Sequence, residues 1–113
     1  MTSSRPPRAP GHLKPASRRW WLSVVEDYEF EEHHVRLLTL ACEAWDRALT
    51  AREAIAKHGI TFEDRFGAPR VRPEVAVERD ARLAFARLVR ELRLDVEPDA
   101  PRPPGLGGGP RAA

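Results

Sequence analysis

GITFEDRFGAPRVRPEVAVERDARLAFARLVREL, Gly59 to Leu92, holds a helix end, a tight hairpin and a second helix in one short run. Gly59 is a natural residue for the left-handed position that closes a helix. Ile60-Thr61-Phe62 and Pro69-Arg70-Val71 flank turn residues Asp64 to Ala68, a β-branched and aromatic run closed by Gly67, which predicts a hairpin. Pro69 confines the second strand to an edge, because proline has no N–H for a ladder. Pro73 is favoured at the first position of a helix, so the third helix is predicted from about Pro73 to Leu92–Leu94. At about 100° per residue, Val77, Ala81, Ala84, Phe85, Leu88 and Leu92 fall on one side of it. Arg79, Arg82, Arg87, Arg90 and Arg93 fall on the other, with no acid among them.

Two further helices precede this stretch. Trp20, Trp21, Val24, Val25 and Tyr28 recur with helical spacing, which predicts a helix from about Ser17, as N-cap, to Tyr28. Leu38, Ala41, Trp45, Ala48 and Ile55 mark one side of a longer helix from about Glu31 to Lys57 or His58. Arg52 interrupts that seam, which excludes a strict coiled coil. The expected fold is mainly α: three helices, with a small β-hairpin between the second and third.

The ends differ in kind. Residues 1–16 carry Pro6, Pro7, Pro10 and Pro15 among serines and bases, and residues 96–113 are rich in proline and glycine. Neither can bury enough apolar surface to offset the entropy of ordering, so both are expected to be disordered, flanking a helical core over 17–95. That core is small. Domains of about 60–80 residues bury only about 60–65% of their unfolded surface, and the single cysteine, Cys42, cannot pair within the chain. Self-association is therefore the expected support. Three tryptophans are many for so small a core; Trp20 and Trp21 are adjacent and cannot both face inward. Trp20, Trp21 and Trp45 are the candidate oligomer interface.

The net charge is only +2, but its distribution is uneven. Residues 1–19 hold Arg5, Arg8, Lys14, Arg18 and Arg19 and no acid, whereas residues 20–59 carry eight acids against four bases. The basic arm and the arginine side of the third helix are candidate phosphate contacts. Against this stands a solvated face, or arginines that pair with acids of a neighbouring subunit. Arg65, Arg70 and Arg72 offer a lesser candidate, since a two-stranded ribbon can reach a DNA groove; a structural clip between helices is the plainer reading.

Catalysis finds no support. His33 and His34 are adjacent and point about 100° apart on a helix; no HxxxH, HExxH or CxxC spacing marks a metal site, so no metal and no cofactor is expected. Cys42 reads as a small core hydrophobe without an activating base. The tail glycines lack the Lys-Ser/Thr of a phosphate loop. No apolar run approaches the ~18 residues of a membrane span, and the N-terminus has no hydrophobic signal segment, so a soluble intracellular protein with no membrane partner is expected.

The run RPEVAVERDARLAFARLVREL, Arg72 to Leu92, resembles the signature of the phage terminase small subunits. ACEAWDRALTAREAIAKHGITF, Ala41 to Phe62, is similar to the long helix and hairpin start of the same family, and DYEFEEHHVRLL matches the usual opening of that helix. Arg93 departs from the pattern, standing where family members often have a glycine. The resemblance implies a non-catalytic subunit that binds double-stranded viral DNA at the packaging site as a ring-shaped homo-oligomer. It implies recruitment and regulation of a large ATPase–nuclease subunit, in the cytoplasm of the infected or lysogenic host and not as part of the virion. A helical protein-interaction or scaffold module without a nucleic-acid role is the alternative.

Overall fold

The computed structural model describes residues 7–94. It has helices α1 (Pro15–Asp27), α2 (Glu32–His58) and α3 (Pro73–Leu92), with strands β1 (Thr61–Glu63) and β2 (Pro69–Val71) between α2 and α3. This is the mainly α arrangement expected from the sequence. α2 and α3 run antiparallel: Arg52 meets Glu78, Trp45 meets Phe85, and Tyr28 ahead of α2 meets Leu94 beyond α3. Their facing stripe is made of small residues. Ala41, Ala44, Ala48 and Ala51 on α2 and Ala81 on α3 are all buried, and side-chain size at the contact sets how closely two helix axes approach.

α1 lies against the first half of α2. The core is the cluster of Leu13, Trp21, Val24, Leu38, Cys42 and Leu92. The Trp21 indole N–H donates to Thr39 Oγ1 at 3.2 Å, which ties α1 to α2. Of the two adjacent tryptophans, Trp21 faces inward and is 4% exposed, whereas Trp20 turns toward α3.

The N-terminal arm departs from expectation. Residues 7–14 are folded back on the helices instead of trailing free. Pro10 to Leu13 form a turn, Leu13 is 3% exposed and Ala9 packs on the core. The Lys14 N–H donates to Asp46 Oδ2 at 2.8 Å and Ser17 Oγ donates to Oδ1 at 2.6 Å. α1 consequently begins at Pro15 with Lys14 as N-cap, and Ser17 is a buried residue of its first turn and not its cap. Proline and charge content weigh against order in this arm, but one leucine finds a pocket and one aspartate of α2 takes a donor from the arm and another from the first turn of α1. Residues 1–6 and 95–113, with Arg5 and the tail, lie outside the described residues.

Helix ends follow local chemistry. Glu31 caps α2 in a reciprocal arrangement in which its own N–H donates to His34 Nδ1 at 3.1 Å. The His33 ring lies against that of His34, with centroids 4.0 Å apart. Gly59, at φ +89°, closes α2. α3 ends differently: Arg93 takes the left-handed conformation, φ 59° and ψ 41°. A non-glycine residue there costs about 1–2 kcal/mol, partly offset because glycine has more unfolded freedom to lose. Arg93→Gly should therefore raise stability by about 0.5–1 kcal/mol, read as a higher urea midpoint at unchanged slope.

The hairpin is held by one side chain. Asp64 Oδ1 accepts from the N–H groups of Phe66 and Ala68 at 2.9 and 3.0 Å, and Oδ2 accepts from Arg70 Nε at 3.0 Å. Gly67, at φ +80°, supplies the conformation that lets the turn close. Arg70, then the Ala68 and Phe66 amides, hold the Asp64 carboxyl below its usual range. A depressed carboxyl stabilises the fold above its unfolded pKa, and the contribution is lost as pH falls through the folded one. Amide exchange at Phe66 and Ala68 should accordingly quicken below the ordinary aspartate range, and Asp64→Asn should bring that loss to neutral pH.

Candidate nucleic-acid interface and aromatic cleft

The arginine side of α3 is exposed along its whole length: Arg79, Arg82, Arg87, Arg90 and Arg93 all reach solvent. The face is less free of acids than its periodicity suggests. Arg79 Nε lies 3.3 Å from Asp80, and Arg82 Nε lies 3.4 Å from Glu78 at i,i+4. Glu78 also accepts from Arg52 Nη2 at 3.0 Å. Arg52, followed by burial acting the other way and the Arg82 charge, sets the Glu78 carboxyl below its ordinary value. That pair ties α2 to α3 and gives a purpose to the arginine that breaks the α2 seam. Arg87, Arg90 and Arg93 have no ion-pair partner among the described residues. Leu83, 58% exposed, sits in the middle of this basic face.

Each hairpin arginine is engaged by its own ribbon. Arg70 holds Asp64. The Arg65 guanidinium stands over the Phe66 ring at 5.0 Å, and that of Arg72 over Phe62 at 5.8 Å. Arg72 is half-buried, with its Nε enclosed and unpartnered. Thr61 pairs with Val71, Phe62 with Arg70 and Glu63 with Pro69, and all six residues are exposed. The ribbon projects from the helices, and its arginines serve first to hold its own shape.

Arg8, Arg18 and Arg19 come together where the arm meets α1, whereas Lys14, the N-cap of α1, is not among the residues lining that groove. Arg18 Nη1 donates to the Gly11 carbonyl at 3.2 Å, bracing the arm turn. Arm residues Pro7, Arg8 and Ala9 and α1 residues Pro15, Arg18, Arg19 and Leu22 line a shallow groove of about 430 Å³. α1 carries its charges against its macrodipole: no acid in the first turn and no base in the last, with Arg18 and Arg19 toward the start and Glu26 and Asp27 at the end. A helix start favours negative charge, so the groove pairs two cationic influences.

The second feature is aromatic. The Phe85 ring lies 5.0 Å from that of Trp45 and 5.8 Å from that of Trp20. Together with Ala16 and Ser17 these three line an open cleft of about 290 Å³ where all three helices meet. Trp45 remains 41% exposed. Of the three tryptophans singled out by sequence, the structure brings Trp20 and Trp45 to one surface and sends Trp21 to the core. Phe85 belongs to the apolar side of α3 by spacing; its position between two tryptophans depends on helix pairing and has no sequence signal.

Other reactive groups are occupied. Burial, then the charges of Asp46 and Glu43, pushes the Cys42 thiol up to about 12, and its Sγ lies 3.7 Å from the Ser17 carbonyl. It is a packed thiol, with no thiolate to act as a nucleophile. His12 Nε2 meets Glu43 at 2.7 Å. Among the described residues no three His, Cys, Asp or Glu side chains converge as a metal-binding group, and no described helix is long and apolar enough to cross a membrane.

A helical hairpin with an exposed β-ribbon at its tip, a basic outer face on α3 and an aromatic cleft defines a small, mainly α-helical protein. The family model for the phage terminase small subunit matches residues 17–98, and the chain belongs to that family. No curated protein and no solved structure matches it. Membership supports a role in phage DNA packaging, generally that of the non-catalytic subunit.

Proposed function

We propose that this chain binds double-stranded viral DNA at the packaging site as a ring-like homo-oligomer and recruits and regulates the large ATPase–nuclease subunit. It would act in the host cytoplasm and stay out of the virion. The observation that carries the DNA part is the exposed outer face of α3, where Arg87, Arg90 and Arg93 have no ion-pair partner among the described residues. The arm arginines add a second basic surface. Large-subunit docking is assigned to the tail from Pro98 to Ala113, whose proline and glycine content suits a tether that reaches a partner without fixed registry.

Assembly is assigned to the aromatic cleft, since a half-exposed tryptophan beside a second tryptophan and a phenylalanine is costly to leave in water and common in interfaces. A second reading is favoured by the Arg79–Asp80, Arg82–Glu78 and Arg52–Glu78 pairs: the arginines would organise protein contacts in a scaffold without nucleic acid. Two measurements on the unmodified protein separate these readings. Light scattering should give a multiple of the 12.8 kDa chain mass. Duplex affinity should fall roughly 10³-fold or more between 50 and 200 mM salt if about six phosphates are engaged. A multimer with no salt-sensitive DNA binding would select the scaffold.

A further inference from the structure

The β-ribbon leaves Ile60, Phe62, Phe66 and Val71 exposed, and Phe66, at 79%, is the most exposed large apolar side chain among the described residues. Its position is fixed all the same. The Phe66 N–H donates to Asp64 Oδ1, the Arg65 guanidinium stands over its ring, and Gly67 closes the turn behind it. An apolar side chain held in place while still in water is a preorganised anchor, since docking it demands little further ordering.

The aromatic cleft matches that anchor in size and chemistry. A cavity of about 150 Å³ accommodates a benzene molecule, so the space of about 290 Å³ beside Trp20, Trp45 and Phe85 has room for one phenyl ring. Aromatic rings gain from edge-to-face and offset contacts beyond the area they bury, and three of them line this cleft. Charge agrees as well. Ser17, on the cleft wall, donates to Asp46, whose carboxylate has no ion-pair partner among the described residues. A phenylalanine arriving with Arg65 beside it brings a guanidinium toward that anion. Within one chain the two do not meet. The ribbon follows His58, about 20 Å along α2 from Trp45 at 1.5 Å per residue, and no ribbon residue lines the cleft.

We infer that the ribbon tip of one copy inserts Phe66 into the Trp20–Trp45–Phe85 cleft of the next. This rests on the assignment of assembly to the cleft and names what fills it. Tip and cleft are different surfaces, so the contact is head-to-tail, and its repetition closes a ring where the rotation between neighbours allows. Cleft against cleft would give a two-fold pair and stop there. DNA is the poorer occupant for the tip, because Arg65, Arg70 and Arg72 are each turned onto the ribbon's own rings and carboxylate.

The test mixes two full-length variants and reads their mass by light scattering. Phe66→Ala keeps the cleft and lacks the anchor; Trp45→Ala keeps the anchor and lacks one wall of the cleft. Each alone should raise the concentration of half-assembly by at least about 30-fold, the loss that marks a central interface anchor. Mixed in equal amounts they should form a dimer and nothing larger, because each pair holds one intact anchor and one intact cleft. A cysteine pair supplies a second readout. Arg65→Cys with Ala16→Cys should link copies into a ladder under mild oxidation, at least about tenfold faster than Arg65→Cys with Leu40→Cys on another side of α2, since docking raises the local concentration of one pair only. Equal rates for the two pairs, or a mixture that stays monomeric, would overturn the inference. So would undisturbed assembly of Phe66→Ala, which leaves the cleft to another contact; loss of duplex affinity by that still-assembled variant would give the tip to DNA. Unmodified protein that is monomeric throughout would instead remove the assembly reading, and the ribbon docking with it.

Discussion

Replacing Trp21 with alanine should leave the protein largely unfolded at ambient temperature. Trp21 is 4% exposed and sits in the cluster that joins the arm, α1, α2 and the end of α3. Truncating a buried tryptophan costs about 3–5 kcal/mol, against a total stability of about 5–15 kcal/mol for most domains and less for small ones. Trp21→Phe keeps most of the apolar volume and loses the bond to Thr39, so it should cost only about 1–2 kcal/mol. Trp45→Ala should act differently: Trp45 is 41% exposed, so the isolated fold should tolerate its loss and assembly should suffer. Denaturant midpoints alongside light scattering for the three variants check this. A Trp21→Ala protein as stable as wild type would mean that α1 does not hold the fold.

The second large effect is on DNA affinity. Arg79→Gln, Arg87→Gln and Arg90→Gln together should flatten the logarithmic salt dependence by about 2.7, at roughly 0.9 for each phosphate no longer engaged. That slope change amounts to about 40-fold over the interval from 50 to 200 mM salt. Helicity should not change, because all three side chains are exposed and glutamine is nearly as good a helix former as arginine. The Arg79–Asp80 pair broken in the process is an exposed one of small value. An unaltered salt slope would remove this face from the DNA interface. Loss of multimer mass with DNA binding per subunit intact would assign these arginines to subunit contacts.

Much of this molecule is legible along the chain because its decisive signals are local. Gly59 ends α2, Gly67 closes the turn and Pro73 opens α3, each because of a backbone conformation that the residue permits or imposes. Spacing alone separates Arg79, Arg82, Arg87, Arg90 and Arg93 from the apolar side of α3. The family resemblance rests on the same local wording, and the matched family is the one it points to.

What tertiary structure decided were contacts between residues far apart in sequence. Composition counts prolines and charges but cannot know that Leu13 finds the core, or that Asp46 of α2 takes donors from Lys14 and Ser17; hence an arm expected to be free is folded through residues 7–14. Adjacent Trp20 and Trp21 carry equal propensity, and only the placement of α2 and α3 sends one to the core and the other to Phe85. The acid-free arginine face holds along the helix projection, yet Asp80 and Glu78 reach it from the flank and Arg52 joins from another helix. Periodicity fixes which way a side chain points from its own axis; partners depend on where the other axes lie, and that is set by burial of the whole chain at once.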